Sequence, residues 1–120
     1  MDQSKPKRIL IVDDEKPLVR ALELKFTNAG FKVMIAMDGD EALEILGKET
    51  FDIVLLDLVM PKKDGFEVLT ELKAKGKKVP VIVLSNLSQD EDIKRAKELG
   101  AIDYLVKPET SIFELVSKVK

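Results

Sequence analysis

Three short runs, Ile9-Leu10-Ile11-Val12, Ile53-Val54-Leu55-Leu56 and Val81-Ile82-Val83-Leu84, are apolar at every position. A strand with one wet face alternates apolar and polar residues. A strand apolar throughout has both faces covered, as in a parallel sheet held between two layers of helices. Two further runs, Lys32–Ala36 and Tyr104–Val106, complete a set of five strand candidates.

Helical periods separate these runs. Leu18, Leu22, Phe26 and Ala29 share one stripe, as do Phe66, Leu69 and Leu72. Ile93, Ala96 and Leu99 repeat the pattern, and Ile112, Leu115, Val116 and Val119 repeat it again, so the last helix is expected over Ile112 to Lys120. Asp38, Asp64 and Ser88 each precede a Glu by three positions, the spacing of a capping box. Gly30, Gly47, Gly76 and Gly100 stand where helices are expected to stop, and Asn28 just before the first of them reads as a helix end. Five βα units in succession predict an α/β fold, a doubly wound (βα)5 sandwich with right-handed crossovers and helices on both faces. The chain reads as a polar tail over residues 1–7 and one domain over 8–120, with no internal linker.

Composition narrows the chemistry. The 120 residues include neither cysteine nor histidine. Disulfides, thiolate catalysis, histidine general bases and zinc sites built on these ligands are therefore excluded. Charge is abundant, at 35% of residues, but balanced to a net −2. No cationic face for nucleic acid is apparent; the densest basic group, Lys75, Lys77 and Lys78, reads as a solvated helix end. No apolar run approaches the ~20 residues of a membrane span, and the four apolar residues after Arg8 are too few for a secretory signal. A cytoplasmic protein without membrane contact is expected.

An open parallel sheet binds ligands at the C-terminal ends of its strands. Here strand one ends in Asp13-Asp14-Glu15, strand three in Asp57, strand four in Ser85-Asn86 and strand five in Lys107-Pro108. Taken singly, each has a plain structural reading: Asp14 could cap a helix, Ser85 could satisfy a turn and Lys107 could be surface. Glu15 reads as a first-turn acid favoured by the helix dipole. Together they describe a pocket. Two carboxylates about 4 Å apart repel by roughly 4 kcal/mol at an effective dielectric of 20, so clustered acids need water or a shared cation. Oxygen-only ligands suit a hard ion, Mg²⁺ with Mn²⁺ as the alternative. With a lysine and a hydroxyl added, the set is equipped to hold a phosphoryl group.

The chain resembles the receiver domains of bacterial two-component response regulators, chemotaxis-regulator-like, over nearly its full length. The resemblance rests on Asp13-Asp14, on Asp57-Leu58-Val59-Met60-Pro61 followed by Asp64-Gly65, and on Ser85, Tyr104 and Lys107-Pro108. It implies a flavodoxin-like sheet in the order 2-1-3-4-5. It further implies that Asp57 takes a phosphoryl group from a sensor histidine kinase or phosphotransfer protein. Asp14, Asp57 and the backbone carbonyl of Val59 would bind Mg²⁺ directly, and Asp13 through water. Lys107 would pair with phosphoryl oxygens, Ser85 would hydrogen-bond them, and Tyr104 would turn inward behind Ser85. The readout would pass to an effector protein or a second copy through the face of helix four, strand five and helix five. Val59 and Leu87 would tune the phosphoryl lifetime, and the Lys107–Pro108 bond would be cis. Such a chain catalyses only its own phosphorylation and dephosphorylation. Asn86 departs from the small residue usual there, which narrows access for a donor.

Three rival readings have distinguishing features. A phosphatase of the haloacid dehalogenase type expects a second Asp two residues after the nucleophile, where this chain has Val59. A flavin-binding module needs a phosphate-friendly loop after strand one, where Asp13-Asp14-Glu15 would repel the ligand. A receiver-like module that ignores phosphorylation would not need the complete motif set.

Overall fold

The computed structural model describes residues 6–119, so most of the expected polar tail and Lys120, where the last helix was expected to end, lie outside the described residues. Five strands, β1 (Arg8–Val12), β2 (Lys32–Ala36), β3 (Ile53–Leu56), β4 (Val81–Ser85) and β5 (Asp103–Val106), alternate with α1 (Lys16–Asn28), α2 (Gly39–Lys48), α3 (Gly65–Ala74), α4 (Asp90–Glu98) and α5 (Ile112–Val119). All pairings are parallel, in the order β2-β1-β3-β4-β5. The doubly wound arrangement expected from the apolar runs is the one observed.

Those runs are apolar throughout because the sheet has a core on each face. Leu10 and Val12, Val54 and Leu56, and Val81 and Val83 point to the side covered by α2, α3 and α4, where Ala42, Leu46, Phe66, Leu69, Leu72 and Ala96 meet them. Their neighbours Ile9, Ile11, Ile53, Leu55, Ile82 and Leu84 point the other way, onto Leu22 and Phe26 of α1 and Leu115 of α5. Period-two geometry thus divides each run between two layers. Each fully buried aliphatic contributes about 1.5–3 kcal/mol, so neither face tolerates a polar residue without a partner.

Local signals succeed where the side chain makes the contact they imply. Asp64 accepts the Glu67 amide at 2.9 Å and Glu67 accepts the Asp64 amide at 3.0 Å, a complete capping box. Asp38 caps α2 through the Glu41 amide at 2.8 Å. Gly30, Gly76 and Gly100 take left-handed φ values of 96°, 65° and 112°, which terminate α1, α3 and α4.

Three expectations are corrected. Gly47 does not stop α2, which runs on to Lys48; it sits on the solvent side, where an interior glycine costs only about 1 kcal/mol. Ser88 does not cap α4: Gln89 holds the cap position, and Asp90, Glu91 and Asp92 complement the helix dipole in the first turn. On α1 the stripe of Leu18, Leu22, Phe26 and Ala29 packs on one core as expected, and Val19 is buried as well. The Lys107–Pro108 bond is trans, the ordinary preference of a peptide bond, and leads into a single 3-10 turn over Lys107–Glu109. The basic group after α3 is partly explained by packing: the Lys77 ammonium donates to the Leu46 carbonyl, and Lys73 to that of Glu98 at 2.9 Å. These lysines tie down the carbonyl ends of neighbouring helices.

Candidate functional site

Parallel strands all deliver their C-terminal residues to one edge. The backbone register sets Val12 beside Leu56 and Leu56 beside Val83, so the residues following β1 and β3 emerge next to each other. The Asp57 amide donates to the Val12 carbonyl at 2.9 Å, which continues the ladder one step past β3. Asp13 and Asp57 are therefore buried, at 3% and 6% exposure, whereas Asp14 faces solvent. Carboxylate oxygens of Asp13, Asp14 and Asp57 all lie within 4.8 Å of one another. The sequence reading placed these three together, and so does the structure.

Lys107 reaches in from the end of β5. Its ammonium lies 2.9 Å from Asp13 Oδ2, 3.0 Å from Asp57 Oδ2 and 3.2 Å from Glu15 Oε1. The Glu15 contact was not expected. Glu15 occupies the N-cap position of α1 rather than its first turn, and its side chain makes no capping bond there. Nor does Asp14 cap that helix: the Glu15 amide donates to Asp13 Oδ1 at 2.9 Å instead. Asp57 Oδ1 likewise accepts the Val59 amide, at 3.2 Å.

Burial and charge pull in opposite directions at this cluster. Desolvation pushes the Asp13 carboxyl above its ordinary range, although the Lys107 and Glu15 hydrogen bonds lower it. Burial also disfavours the Lys107 cation, but hydrogen bonds to Asp13 and Asp57 outweigh it and the ammonium is held charged more firmly than usual. Three carboxylates contact one ammonium and Asp14 lies beside two of them, so the site attracts further positive charge.

The loop that follows β3 is held by close backbone packing. A Cβ on Gly65 would sit 2.4 Å from the Asp57 carbonyl oxygen and 2.7 Å from Leu58 Cα. Only glycine lets the start of α3 approach Asp57 so closely. The sequence marks Gly65 as part of a motif but does not reveal this contact.

On the β4 side, Ser85 is fully buried and its Oγ accepts the Leu87 amide at 3.3 Å. Tyr104 is buried behind it at 9% exposure, already inward, and its hydroxyl donates to the Leu87 carbonyl at 2.6 Å. Desolvation, with Asp92 and Asp57 adding negative charge, raises the phenol to about 12 despite the Ser85 hydrogen bond. Val59 is 56% exposed and lines the cleft above Asp57 together with Met60 and Pro61. Leu87 is half-buried against the core, and its neighbour Asn86 is the one that reaches the cleft.

The donor set fits a hard divalent cation: three carboxylates, no histidine or cysteine anywhere in the chain, and excess negative charge. A buried carboxylate with an ammonium 3.0 Å away can present a nucleophilic oxygen while the cation awaits an anionic group.

Comparison with known proteins agrees with this geometry. Residues 9–120 match the family described as the response regulator receiver domain. A probable transcriptional regulator, ycf27, of Porphyridium aerugineum is 46% identical over 101 residues, 84% of this chain and 42% of that protein. The chain thus spans less than half the length of that relative. Among solved structures, the receiver domain of the Francisella response regulator 1452 superposes with a TM-score of 0.89 at 34% identity, covering 94% of this chain and 93% of that one. CheY in a Borrelia burgdorferi CheX-CheY-BeF3-Mg²⁺ complex does so with a TM-score of 0.86 at 34% identity, covering 95% and 87%.

Proposed function

This chain belongs to the response regulator receiver domain family, and we propose that it is a phosphorylation-driven switch in which Asp57 is the phosphoacceptor. The observation that carries the reading is Lys107 Nζ, 3.0 Å from a buried Asp57 oxygen inside an all-carboxylate cluster at the strand ends.

In the proposed reaction a carboxylate oxygen of Asp57 attacks the phosphorus of a phosphohistidine on a sensor kinase or phosphotransfer protein. The new P–O bond forms as the P–N bond breaks, and the departing imidazole nitrogen takes up a proton from water. Asp57 Oδ1 stays anchored to the Val59 amide, which leaves the other oxygen directed at Lys107. Lys107 stabilises the charge spread over the equatorial phosphoryl oxygens. Mg²⁺, held by Asp14, Asp57 and the Val59 carbonyl with Asp13 acting through water, would neutralise further charge on those oxygens. Mn²⁺ could take the same ligands. Turnover of a free substrate is not part of this reading.

The switch follows from Ser85 and Tyr104. A phosphoryl oxygen offers the Ser85 hydroxyl a charge-assisted acceptor, and movement of Ser85 and the Leu87 backbone alters the pocket that holds Tyr104. Two arrangements with different affinity for a partner suffice to transmit the signal. The face of α4, β5 and α5 carries it to an effector or a second copy; Ile102 and Phe113, 62% and 81% exposed, are apolar groups available there. That a relative was solved in a complex with BeF3 and Mg²⁺ supports this reading. Among the described residues no helix is long and apolar enough to cross a membrane.

The test is chemical. Borohydride reduces an aspartyl phosphate to homoserine, so phosphorylated protein treated with it and mapped by peptide mass should carry homoserine at position 57. Homoserine at Asp13 or Asp14 instead would refute the assignment.

A further inference from the structure

An ammonium has three N–H donors, and the Lys107 ammonium has three carboxylate partners: Asp13 at 2.9 Å, Asp57 at 3.0 Å and Glu15 at 3.2 Å. An incoming phosphoryl oxygen must therefore displace one of them. We propose that Glu15 is the one displaced: it is a built-in anionic competitor that occupies Lys107 until the phosphoryl group takes its place. The inference rests on the reading of Asp57 as phosphoacceptor and adds a positioning residue to it.

The three carboxylates are held very differently. Asp13 and Asp57 have side chains only 4% and 7% exposed, and each is also gripped by a backbone amide, from Glu15 and Val59 respectively. The Glu15 side chain is 54% exposed, makes the longest of the three contacts, and its carboxylate has no other protein partner among the described residues. Water stands ready to solvate it once it leaves, which is not true of the other two. An exposed pair of this kind is weak and screened by salt, so it yields to a multiply charged anion.

The direction of the effect follows from charge. A phosphoryl group brings about two negative charges and repels Glu15 as it recruits Lys107. Glu15 thereby slows unwanted loading from small donors without blocking a docked partner that supplies binding energy of its own.

The experiment uses the full chain with saturating Mg²⁺ and graded acetyl phosphate, read by intact mass. Glu15→Gln keeps the size of the side chain and disturbs no capping bond. It should lower the half-saturating donor concentration by roughly threefold to tenfold, the effect expected of one nearby, partly screened charge. The gap between parent and variant should close in about 1 M salt, where screening acts over about 3 Å. Equal or higher half-saturation in Glu15→Gln, or a gap that salt leaves unchanged, overturns the proposal while leaving the Asp57 assignment intact. Mg²⁺ affinity measured without any donor is the independent check. A change under about threefold supports a competitor of Lys107, whereas a loss beyond tenfold would make Glu15 a metal ligand and overturn it. Failure of the Asp57 reading looks different: the mass gain would persist in Asp57→Ala.

Discussion

The Tyr104 hydroxyl donates a 2.6 Å hydrogen bond to the carbonyl oxygen of Leu87, tying the last strand to the loop that leaves β4. The same Leu87 donates its amide to Ser85 Oγ at 3.3 Å. One residue thus touches both members of the proposed switch. A hydroxyl bonded to a backbone carbonyl inside an apolar pocket contributes about 1 kcal/mol while satisfied and costs more than that if stranded. Movement of Ser85 toward a phosphoryl group would disturb its bond to Leu87 and, through that loop, the seat of Tyr104.

Tyr104 is the only tyrosine, and the chain has no tryptophan, so its ionisation can be read without interference. Burial holds the folded phenol at about 12, above the ordinary 10.0. The neutral form is favoured in the folded protein, so this group costs nothing below pH 10.0. As pH rises from 10.0 toward 12, the unfolded chain loses its proton first and stability falls. Tyrosinate absorbance should titrate near 12 in folded protein and near 10.0 in denaturant. A folded midpoint at 10.0 would place the ring in solvent.

Asp14 is exposed, makes no helix cap and lies within 4.8 Å of two other carboxylates. Its removal relieves like-charge repulsion and breaks no capping bond. Asp14→Ala should therefore melt at the same or a higher temperature in EDTA, with a gain of up to about 1 kcal/mol. Mg²⁺ binding should weaken by at least about tenfold. A lower melting temperature in EDTA would show that Asp14 supports the fold.

Gly65→Ala sets two effects against each other. Alanine in a helix gains about 1 kcal/mol over glycine. Here the added Cβ meets backbone, the Asp57 oxygen at 2.4 Å and Leu58 Cα at 2.7 Å, neither of which can rotate away. Steric strain should win, with a net destabilisation of about 1–3 kcal/mol by denaturant titration and slower phosphorylation. Unchanged stability would mean that the loop after β3 gives way freely.

The aspartyl phosphate should be long-lived. Hydrolysis needs a water in line with phosphorus, and the apolar Val59 beside the cleft offers it no hydrogen bond. Val59→Asn should shorten the lifetime roughly fivefold, the value of one added hydrogen bond near 1 kcal/mol. Leu87→Glu should shorten it less, because Leu87 packs against the core and Asn86 lines the cleft. Decay in the parent as fast as in both variants would remove the shielding account.

The fold was legible because two-sided burial leaves a compositional trace: no polar residue can stand anywhere in Ile9–Val12 or Ile53–Leu56. Asp13, Asp57 and Lys107 were legible because every parallel strand ends at the same edge. What escaped the sequence depends on distance along the chain. Glu15 and Lys107 are separated by 92 positions, and no local pattern couples them. The one available signal was the third acid in Asp13-Asp14-Glu15, read there as a dipole effect. Gly47 misled for the opposite reason, since a solvent-facing glycine inside a helix looks like a stop in one dimension. The closeness of Gly65 to Asp57 is a property of two backbones and leaves no mark on either side chain.

The central claim is that Asp57 accepts the phosphoryl group, and intact mass after incubation with acetyl phosphate and Mg²⁺ tests it most directly. The parent chain should gain one phosphoryl group, sensitive to EDTA and lost slowly once donor is removed, and Asp57→Ala should gain none. A stable phosphoryl gain in Asp57→Ala equal to that of the parent would contradict the account.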